Sequence, residues 1–394
     1  MKKQDRPAAR IARRMQEIEP FHVMALLARA RELEAQGRSI IHMEIGEPDF
    51  PTPEPVLRAG IRALEKGELY YTPTPGLPQL REAIARFYHS RYGVEVAPAR
   101  VLVTTGASAA LMLACAALVD PGDEVLLADP GYPANRHFVR VMEGVPRAVP
   151  VDAAGGYQMG LEHLQRRWSP RTVAALVASP SNPTGTLVSA EQLAAMAAFV
   201  RGKNGALIVD EIYHGIVYEG TVTTALAFSD DVFVINSFSK YFNMTGWRLG
   251  WMVAPERYVG ELDKLAQNLY LAAPTPAQYA ALAAFEPATL AILDGRVREL
   301  KARRDYLVPE LVKLGFEVPV MPQGAFYIYA GCGKLTRDSF GFTRDLLEQA
   351  GVAITPGVDF GANAPERHVR FAYTNPIERL KEGVSRIAAF LAKT

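Results

Sequence analysis

Cysteine is scarce in this sequence, and its scarcity narrows the classes of protein to consider. The 394 residues include only two cysteines, Cys115 and Cys332, which lie far apart and outside any CxxC pair. A disulfide framework or a cysteine-based zinc site is therefore not expected, and we predict no bound metal. The scarcity also favours a reducing compartment, so the cytoplasm is the predicted location.

Long apolar runs and an excess of charge of one sign are lacking as well. No run approaches the roughly 18 apolar residues that a membrane-spanning helix needs. The net charge is +1, so no overall field favours nucleic acid or a membrane surface as a partner. Basic residues do cluster in residues 1–16, which lack the apolar stretch of a secretory signal, and we interpret them as a solvated or subunit-packing extension.

Glycine-rich nucleotide motifs are also missing. No GxGxxG pattern follows a predicted strand, and Gly331–Lys334 lacks the spacing of a phosphate-binding P-loop. Hypotheses that invoke a nicotinamide dinucleotide or a nucleoside triphosphate therefore have little support.

Short aliphatic runs that alternate with helical stretches indicate the fold. Continuous apolar runs are typical of strands buried on both faces, and they occur at residues 101–103, 124–127, 173–177, 206–209, 232–236 and 249–253. Helical stretches such as 107–118 and 190–200 separate many of them. The alternation predicts a large α/β domain with a mainly parallel sheet sandwiched by helices.

A different pattern follows residue 286. It predicts a long charged helix at 296–314, a strand at 325–329, a helix at 342–350, a strand at 369–371 and a closing helix. These elements favour a smaller α+β domain. We therefore predict an N-terminal arm and helix at 1–45 that join the small domain, a large domain at 46–290, and a C-terminal small domain at 291–394.

Lys240 is the first candidate for chemistry, because it follows an apolar strand where active sites of open α/β sheets form. A lysine in such a place is more often a surface residue. Here Ser237 and Ser239 flank it, and Arg248 lies eight residues further on. A nearby cation and partial desolvation lower the pKa of an amine and make it nucleophilic, and arginine also grips phosphate.

Three further strand ends carry candidate groups. Asp210 ends an apolar strand, and either caps a helix or serves as a buried carboxylate against a pyridine nitrogen. The turn Thr104–Ser108 runs from a strand into a helix, whose first backbone amides suit a phosphate. Tyr132 and Asn182 lie in Pro/Gly turns, where an aromatic ring stacks on a flat cofactor and an amide bonds its phenolic oxygen.

Together these motifs resemble the class I and II aminotransferases of the fold-type-I pyridoxal-phosphate family, the aspartate aminotransferase superfamily. The resemblance runs from Ile45–Phe50 to Val369–Phe371 and so covers nearly the whole chain. Its most specific part is a set of motifs in the family's order and spacing, namely Ser181–Gly185, Asp210–Tyr213, Ser237–Lys240 and Gly246–Arg248.

The resemblance implies a role for each matching residue. Lys240 would form the Schiff base with pyridoxal 5'-phosphate and then move the substrate proton. Asp210 would pair with the pyridine nitrogen, Tyr213 and Asn182 would bond the phenolic oxygen, and Tyr132 would stack on the ring. The phosphate would be held by Gly106, Ala107, Ser108, Ser237, Ser239 and Arg248. Tyr71 would reach that phosphate from the second subunit of a homodimer, and Arg370, assisted by Gly46 and Asn182, would bind the substrate α-carboxylate.

The function implied is amino-group transfer between an L-amino acid and a 2-oxo acid by ping-pong chemistry. Two alternatives stay open at this point. A carbon–sulfur lyase on the same fold would need the same Lys240, Asp210 and Arg370. A non-catalytic cofactor-binding sensor would carry a separate DNA-binding domain, for which the 45 residues before Gly46 are too few.

Ser108 departs from the resembling subgroup. Aspartate aminotransferases of that subgroup often have a lysine here, facing the distal carboxylate of the substrate, and a serine cannot form that ion pair. We therefore expect a monocarboxylic or broad range of amino donors, with glutamate as a counter-substrate. Phe326 and Tyr327 are expected either to wall the pocket or to belong to the core.

Overall fold

The protein is built around one large sheet and two small ones. The computed structural model describes residues 10–67 and 69–393, so residues 1–9 of the predicted N-terminal arm lie outside the described part. The strands are β1 (Ile41–His42), β2 (Val101–Thr104), β3 (Glu124–Asp129), β4 (Val145–Pro150), β5 (Thr172–Ala178), β6 (Ala206–Asp210), β7 (Val232–Ser237), β8 (Gly250–Val253), β9 (Tyr327–Gly331), β10 (Val352–Ala353), β11 (Thr355–Pro356) and β12 (His368–Ala372).

Helices connect and cover these strands. They are α1 (His22–Ala35), α2 (Glu54–Lys66), α3 (Pro78–Tyr92), α4 (Ala107–Leu118), α5 (Pro133–Val141), α6 (Leu161–Arg167), α7 (Ala190–Gly202), α8 (Glu256–Leu269), α9 (Thr275–Leu282), α10 (Pro287–Lys313), α11 (Ser339–Asp345) and α12 (Ile377–Leu391). None of the helices in the described part of the chain combines the length and apolar character needed to cross a bilayer.

The large sheet has seven strands in the order β2-β8-β7-β6-β5-β3-β4. Strand β8 runs antiparallel to both of its neighbours, and the remaining pairs are parallel. The mainly parallel sheet is therefore confirmed. The sequence interpretation missed β4, which pairs only with β3 at the edge of the sheet. An edge strand tolerates prolines and exposed polar residues, so β4 has no continuous apolar run.

Helices cover both faces of this sheet, as predicted. Alternate residues of one strand enter different hydrophobic clusters: Val232 and Val234 of β7 face one, and Phe233 and Ile235 face the other. The second cluster is closed by α4 and α8 through Leu111 and Leu262, among others. Burial on both faces explains why the strands are continuous apolar runs.

The C-terminal elements form the predicted α+β assembly. Strands β11, β12 and β9 make an antiparallel sheet, and β1 from the N-terminal segment pairs in parallel with β10. Helix α1 packs beside β10 and β11, through a small cluster that includes Leu26, Leu33 and Leu347. The N-terminal helix therefore contacts the C-terminal elements.

Some predicted boundaries were wrong. The strand expected from Ala325 begins at Tyr327, because Ala325 has a left-handed backbone with φ of 57°. The helix expected from Arg296 begins nine residues earlier, at Pro287, which occupies a first-turn position that tolerates proline. The helix expected at 342–350 begins at Ser339 and continues from Leu346 to Ala350 as a wider turn.

Candidate active site

The predicted catalytic residues meet at the carboxyl ends of the central strands. Asp210 is the last residue of β6, and Lys240 lies just after its parallel neighbour β7. Both line a cavity of about 240 Å³. Seven other predicted residues line the same cavity, namely Gly46, Ala107, Ser108, Tyr132, Asn182, Tyr213 and, from β12, Arg370.

Lys240 is partly buried, and its amine is directed at the segment that precedes α2. Its Nζ donates a hydrogen bond to the carbonyl oxygen of Gly46 at 2.7 Å. The pKa of Lys240 is lowered to about 8, mainly by burial; the charge of Glu47 opposes this shift, and the positive charges of Arg370 and Arg248 add to it. A larger share of the amine is therefore neutral near pH 7 than in an exposed lysine, and the neutral form is the nucleophile.

Asp210 is buried at the floor of the cavity. One carboxylate oxygen accepts a hydrogen bond from the backbone amide of Ile212 at 3.1 Å, and burial raises the pKa of Asp210 to about 6. The residues that follow form a turn and not a helix, so the helix-cap alternative does not apply. A buried carboxylate with a raised pKa favours a cationic partner, such as a protonated ring nitrogen.

Tyr213 contacts two aromatic residues at the start of β9, Tyr327 and the preceding Phe326. Its hydroxyl lies 3.0 Å from the hydroxyl of Tyr327. A Cβ atom added to Gly46 would lie 1.8 Å from the same Tyr327 hydroxyl, so only glycine permits this contact. Tyr327 therefore lines the cavity, as the wall hypothesis predicts. Phe326 packs against the Tyr213 ring at 5.4 Å and is fully buried, which fits the core alternative.

The turn between β2 and α4 forms a cradle for an anion. Gly106 has φ of 81°, and a Cβ atom there would lie 2.8 Å from a guanidinium nitrogen of Arg248. The first amides of α4, at Ala107 and Ser108, have no acceptor within the helix. A cation and unpaired amides on one small turn are the groups that bind phosphate.

The two serines beside Lys240 hold this cradle in place. The Ser239 hydroxyl accepts a hydrogen bond from Arg248 at 3.5 Å. The Ser237 hydroxyl accepts from the Ser239 amide at 3.0 Å and donates to the Leu249 carbonyl at 3.2 Å. The structure thus brings Ser237, Ser239 and Arg248 together, although they lie beside the cavity and not in its lining.

Arg370 is the buried cation at the opposite side. It donates to the Asn182 side-chain oxygen at 2.9 Å, to Thr355 at 3.2 Å and to the carbonyl of Glu44. Its Nε is buried and has no hydrogen-bond partner among the described residues, and its guanidinium lies 4.3 Å from the centre of the Tyr327 ring. A buried cation with an unused donor suits a carboxylate ligand.

Within a single chain, the predicted site residue Tyr71 does not reach the cavity. It is 83% exposed and belongs to a segment that lies against α9, where the neighbouring Thr72 accepts a hydrogen bond from Gln278.

The sequence interpretation missed residues that close the cavity. Phe21 and Met24 come from the start of α1, and Thr355 and Phe360 come from the small sheet and the loop after it. The Asp359 carboxylate fixes the start of α1 by accepting from the amides of His22 and Val23 at 2.8 and 2.9 Å. Each of these contacts joins segments more than 300 residues apart, so no local pattern announces it. No group of three or more metal-ligating side chains occurs among the residues that the structure describes.

Comparisons with known proteins agree with this geometry. Residues 38–387 match the family model described as aminotransferase class I and II. The chain is 37% identical over 386 residues to a (5-formylfuran-3-yl)methyl phosphate transaminase of Methanocaldococcus jannaschii, covering 97% of this chain and 100% of the relative. It is also 37% identical over 376 residues to a valine–pyruvate aminotransferase of Mycobacterium tuberculosis, covering 95% and 97%. The crystal structure of an aminotransferase from Mycobacterium tuberculosis superimposes with a TM-score of 0.94 at 36% identity, covering 98% and 100% of the two chains.

The chain belongs to the class I and II aminotransferase family and has the fold-type-I architecture. It is a pyridoxal-phosphate-dependent transaminase whose substrates are amino acids and 2-oxo acids. The relatives carry aminotransferase names, so they support neither the lyase nor the sensor alternative. The site fits the cofactor, because the Gly106 cradle suits its phosphate, Asp210 suits its ring nitrogen, and Lys240 has the lowered pKa of a nucleophilic amine.

Proposed function

We propose that Lys240, Asp210 and Arg370 carry the transfer reaction, each in a separate role. The observation that supports this assignment is their convergence on one cavity, with the partly buried Lys240 directed at Gly46. Gly106, Ala107, Ser108, Ser239 and Arg248 would hold the cofactor's phosphate, while Ser237 fixes the Ser239 backbone. Asp210 would pair with the ring nitrogen, Tyr213 and Asn182 would bond the phenolic oxygen, and Tyr132 would stack on the ring.

Pyridoxal phosphate, when bound, supplies an electron sink for negative charge at the substrate's α-carbon. Lys240 would hold the cofactor, and its amine would take and return the proton at that carbon. The Gly46 carbonyl orients the amine, and burial makes a larger share of it neutral near pH 7 than in an exposed lysine. Arg370 fixes the α-carboxylate, so the α-carbon is held within reach of Lys240, and Asn182 holds the guanidinium in place.

Borohydride reduction tests the assignment of Lys240. The loaded enzyme is reduced, digested and mapped by mass spectrometry, and we expect the pyridoxyl label on the peptide that contains Lys240. Lys203, an exposed lysine close to an aromatic ring, serves as the internal comparison because its amine lies 5.5 Å from the Phe199 ring and outside the cavity. A label on any other lysine contradicts the proposal.

We also infer a monocarboxylic or broad range of amino donors. Ser108 lines the cavity together with Val23, Met24 and Leu111, so the wall near it is mostly apolar. A distal carboxylate at this wall would be buried without a cation, which is unfavourable. Single-turnover reactions with aspartate, alanine and phenylalanine measure the preference. A preference for aspartate of about 100-fold or more, roughly 3 kcal/mol, contradicts this inference.

A homodimer with shared active sites is the proposed assembly. Helix α2 exposes Leu57, Ile61 and Leu64 along one face, at helical spacing. The segment after it exposes Tyr70 and Tyr71, at 79% and 83%. An exposed apolar surface of this kind marks a protein interface. Burial of this surface against a second copy would place Tyr71 next to the partner's phosphate cradle.

The division of the chain into two domains and the cytoplasmic location of the protein are part of the same proposal. The proposed boundary near residue 290 falls close to the start of α10, so this helix connects the large domain at 46–290 to the small domain at 291–394. The 1–45 segment is assigned to the small domain through α1 and β1. The cytoplasmic location is supported by Cys115 and Cys332, which are both buried and unpaired.

A further inference from the structure

Helix α10 holds the loop that follows Lys240 at two places. Two residues of this loop, Tyr241 and Asn243, are buried. The Tyr241 hydroxyl donates a hydrogen bond to the Asp294 carboxylate of α10 at 2.7 Å. The Asn243 side-chain oxygen accepts a hydrogen bond from the guanidinium of Arg296, also of α10, at 2.7 Å. The helix therefore fixes the residues that lie one and three positions after the lysine.

Asn243 connects Arg296 to the backbone of Lys240. The backbone amide and the side-chain nitrogen of Asn243 both donate to the Lys240 carbonyl oxygen, each at 3.1 Å. The side-chain amide is held in one orientation, because turning it over would place its donor against the donor of Arg296. Asn243 has a left-handed backbone with φ of 52°, which asparagine tolerates better than most residues. The position of the Lys240 backbone thus depends on a side chain that α10 orients.

The same arginine holds the segment that receives the Lys240 amine. One guanidinium nitrogen of Arg296 donates both to Asn243 and to the carbonyl oxygen of Pro51, at 2.7 Å in each case. Pro51 lies five residues after Gly46, whose carbonyl accepts the hydrogen bond of the Lys240 amine. Arg296 is therefore the point at which the loop after the lysine and the segment in front of its amine meet.

This segment is attached to α10 a second time. Arg303 is 2% exposed and donates two hydrogen bonds to the Asp49 carboxylate, at 2.8 and 3.1 Å. Arg296 and Arg303 are seven residues apart and so lie on one face of the helix. Their guanidinium groups lie 5.3 and 4.8 Å from the centre of the Phe50 ring. The carbonyl and the amine of Lys240 are therefore both connected to the same face of α10.

We propose that Arg296 is a positioning residue for the transfer reaction and acts through Asn243 on Lys240. The inference rests on the proposed role of Lys240 as the amine that moves the substrate proton. A reacting group that is misplaced by about 1 Å can lose about 100-fold in rate, so fixing the lysine backbone affects the reaction. Neither Arg296 nor Asn243 lines the catalytic cavity, so the effect falls on the rate and not on substrate binding.

Single-turnover kinetics of the loaded enzyme test this proposal, with whichever of aspartate, alanine and phenylalanine reacts fastest. Arg296→Met keeps the stem of the side chain and removes its donors, and Asn243→Gly keeps the left-handed backbone and removes the amide. We expect each variant to react about tenfold more slowly, with the apparent Kd of the donor within about twofold of the wild type. Arg296→Lys should recover most of the rate, because both hydrogen bonds leave from one nitrogen that an ammonium can replace.

The amplitude of the reaction separates positioning from a loss of folded sites. A merely structural role would lower the amplitude and leave the rate of the remaining sites unchanged, and that result would overturn the proposal. Arg298→Met is the matched control, since Arg298 is exposed two residues further along the same helix. It should react like the wild type, and a loss equal to that of Arg296→Met would overturn the proposal as well.

The double variant shows whether the two residues act in series. If Arg296 acts through Asn243, the combination of Arg296→Met with Asn243→Gly should react no more than about tenfold more slowly than the wild type. Independent effects would multiply to about 100-fold. A multiplied loss, or a wild-type rate in either single variant, would overturn the proposal.

Chemical labelling of the cofactor-free protein separates this proposal from the catalytic assignments. Acetic anhydride acetylates neutral amines, so the yield at Lys240 against pH, measured by peptide mapping, gives the pKa of this amine. We expect a higher pKa in Asn243→Gly, which removes no charge, because an amine that leaves its place at Gly46 regains water. Because neither cofactor nor turnover is involved, the result decides whether Asn243 positions Lys240 even if Lys240 proves not to carry the cofactor. A pKa equal to that of the wild type would overturn the proposal.

Discussion

Burial sets the acid–base properties of individual residues in this site. The same loss of water raises the pKa of the Asp210 carboxyl to about 6 and lowers the pKa of the Lys240 amine to about 8. Both shifts move toward the neutral form, because a low-dielectric environment disfavours either charge. The two groups also stabilise each other's charges, which limits both shifts.

Asp210→Asn is the sharpest single-residue test of the electronic role. The amide keeps the shape of the side chain but removes the negative charge that favours a protonated ring nitrogen. We expect cofactor binding to persist while kcat falls at least about 100-fold, since one charge partner in a dry site contributes a few kcal/mol. Stopped-flow half-reactions give the rate, and cofactor absorbance gives the occupancy.

Asp231→Asn is the control for that substitution. Asp231 is a surface residue that pairs with Arg257, so its loss should leave kcat near the wild-type value. Near-normal turnover in Asp210→Asn would mean that the carboxylate has no role in activating the ring.

At the scale of elements, the strand–turn–helix unit from β2 to α4 depends on one glycine. Gly106 adopts a left-handed backbone and leaves room for Arg248 to approach the helix start. Gly106→Ala would introduce both backbone strain and a close contact with the guanidinium. We expect the Kd for pyridoxal phosphate, measured by titrating the cofactor-free protein, to rise about tenfold or more, which corresponds to roughly 1.4 kcal/mol.

Gly246→Ala is the matched control for the cradle. Gly246 lies two residues before Arg248, but an added Cβ there has nothing within 4 Å and the backbone is not left-handed. Its cofactor affinity should be that of the wild type. If Gly106→Ala also binds the cofactor normally, the turn does not form the phosphate cradle.

At the scale of the whole molecule, a homodimer would complete the active site. Tyr71→Ala and Lys240→Ala are each expected to lose most activity, for different reasons. A mixed dimer contains one Tyr71→Ala subunit and one Lys240→Ala subunit. If Tyr71 acts in trans, one of the two sites combines the wild-type Lys240 of the first subunit with the wild-type Tyr71 of the second. We therefore expect up to about one quarter of wild-type activity after subunit exchange, since half of randomly exchanged dimers are mixed and each has one intact site.

A second pair of variants controls for exchange itself. Asp210→Ala and Lys240→Ala affect the same site from the same chain, so their mixed dimers contain no intact site and should stay inactive. Recovery in both mixtures, or in neither after verified exchange, would contradict sharing through Tyr71. Light scattering of the wild type gives the subunit number.

The sequence by itself determined the features that depend on neighbouring residues. Apolar runs placed the buried strands, because a strand covered on both faces needs continuous aliphatic residues. The motifs at Asn182, Asp210 and Lys240 were local as well, since each follows a strand end in a short turn. For this reason the mainly parallel sheet and the residues gathered at its carboxyl edge could be predicted before any contact was known.

Tertiary structure decided what depends on distant segments meeting. Arg370 and Asn182 are 188 residues apart, and the Asp359 contact with the start of α1 spans more than 300. The edge strand β4 could be located only in the structure. It pairs with one neighbour alone, so its sequence needs fewer apolar residues. A local sequence pattern shows which face of a helix or strand is buried, but it does not show which distant segment covers that face. The walls of the cavity therefore emerged only once the chain was folded.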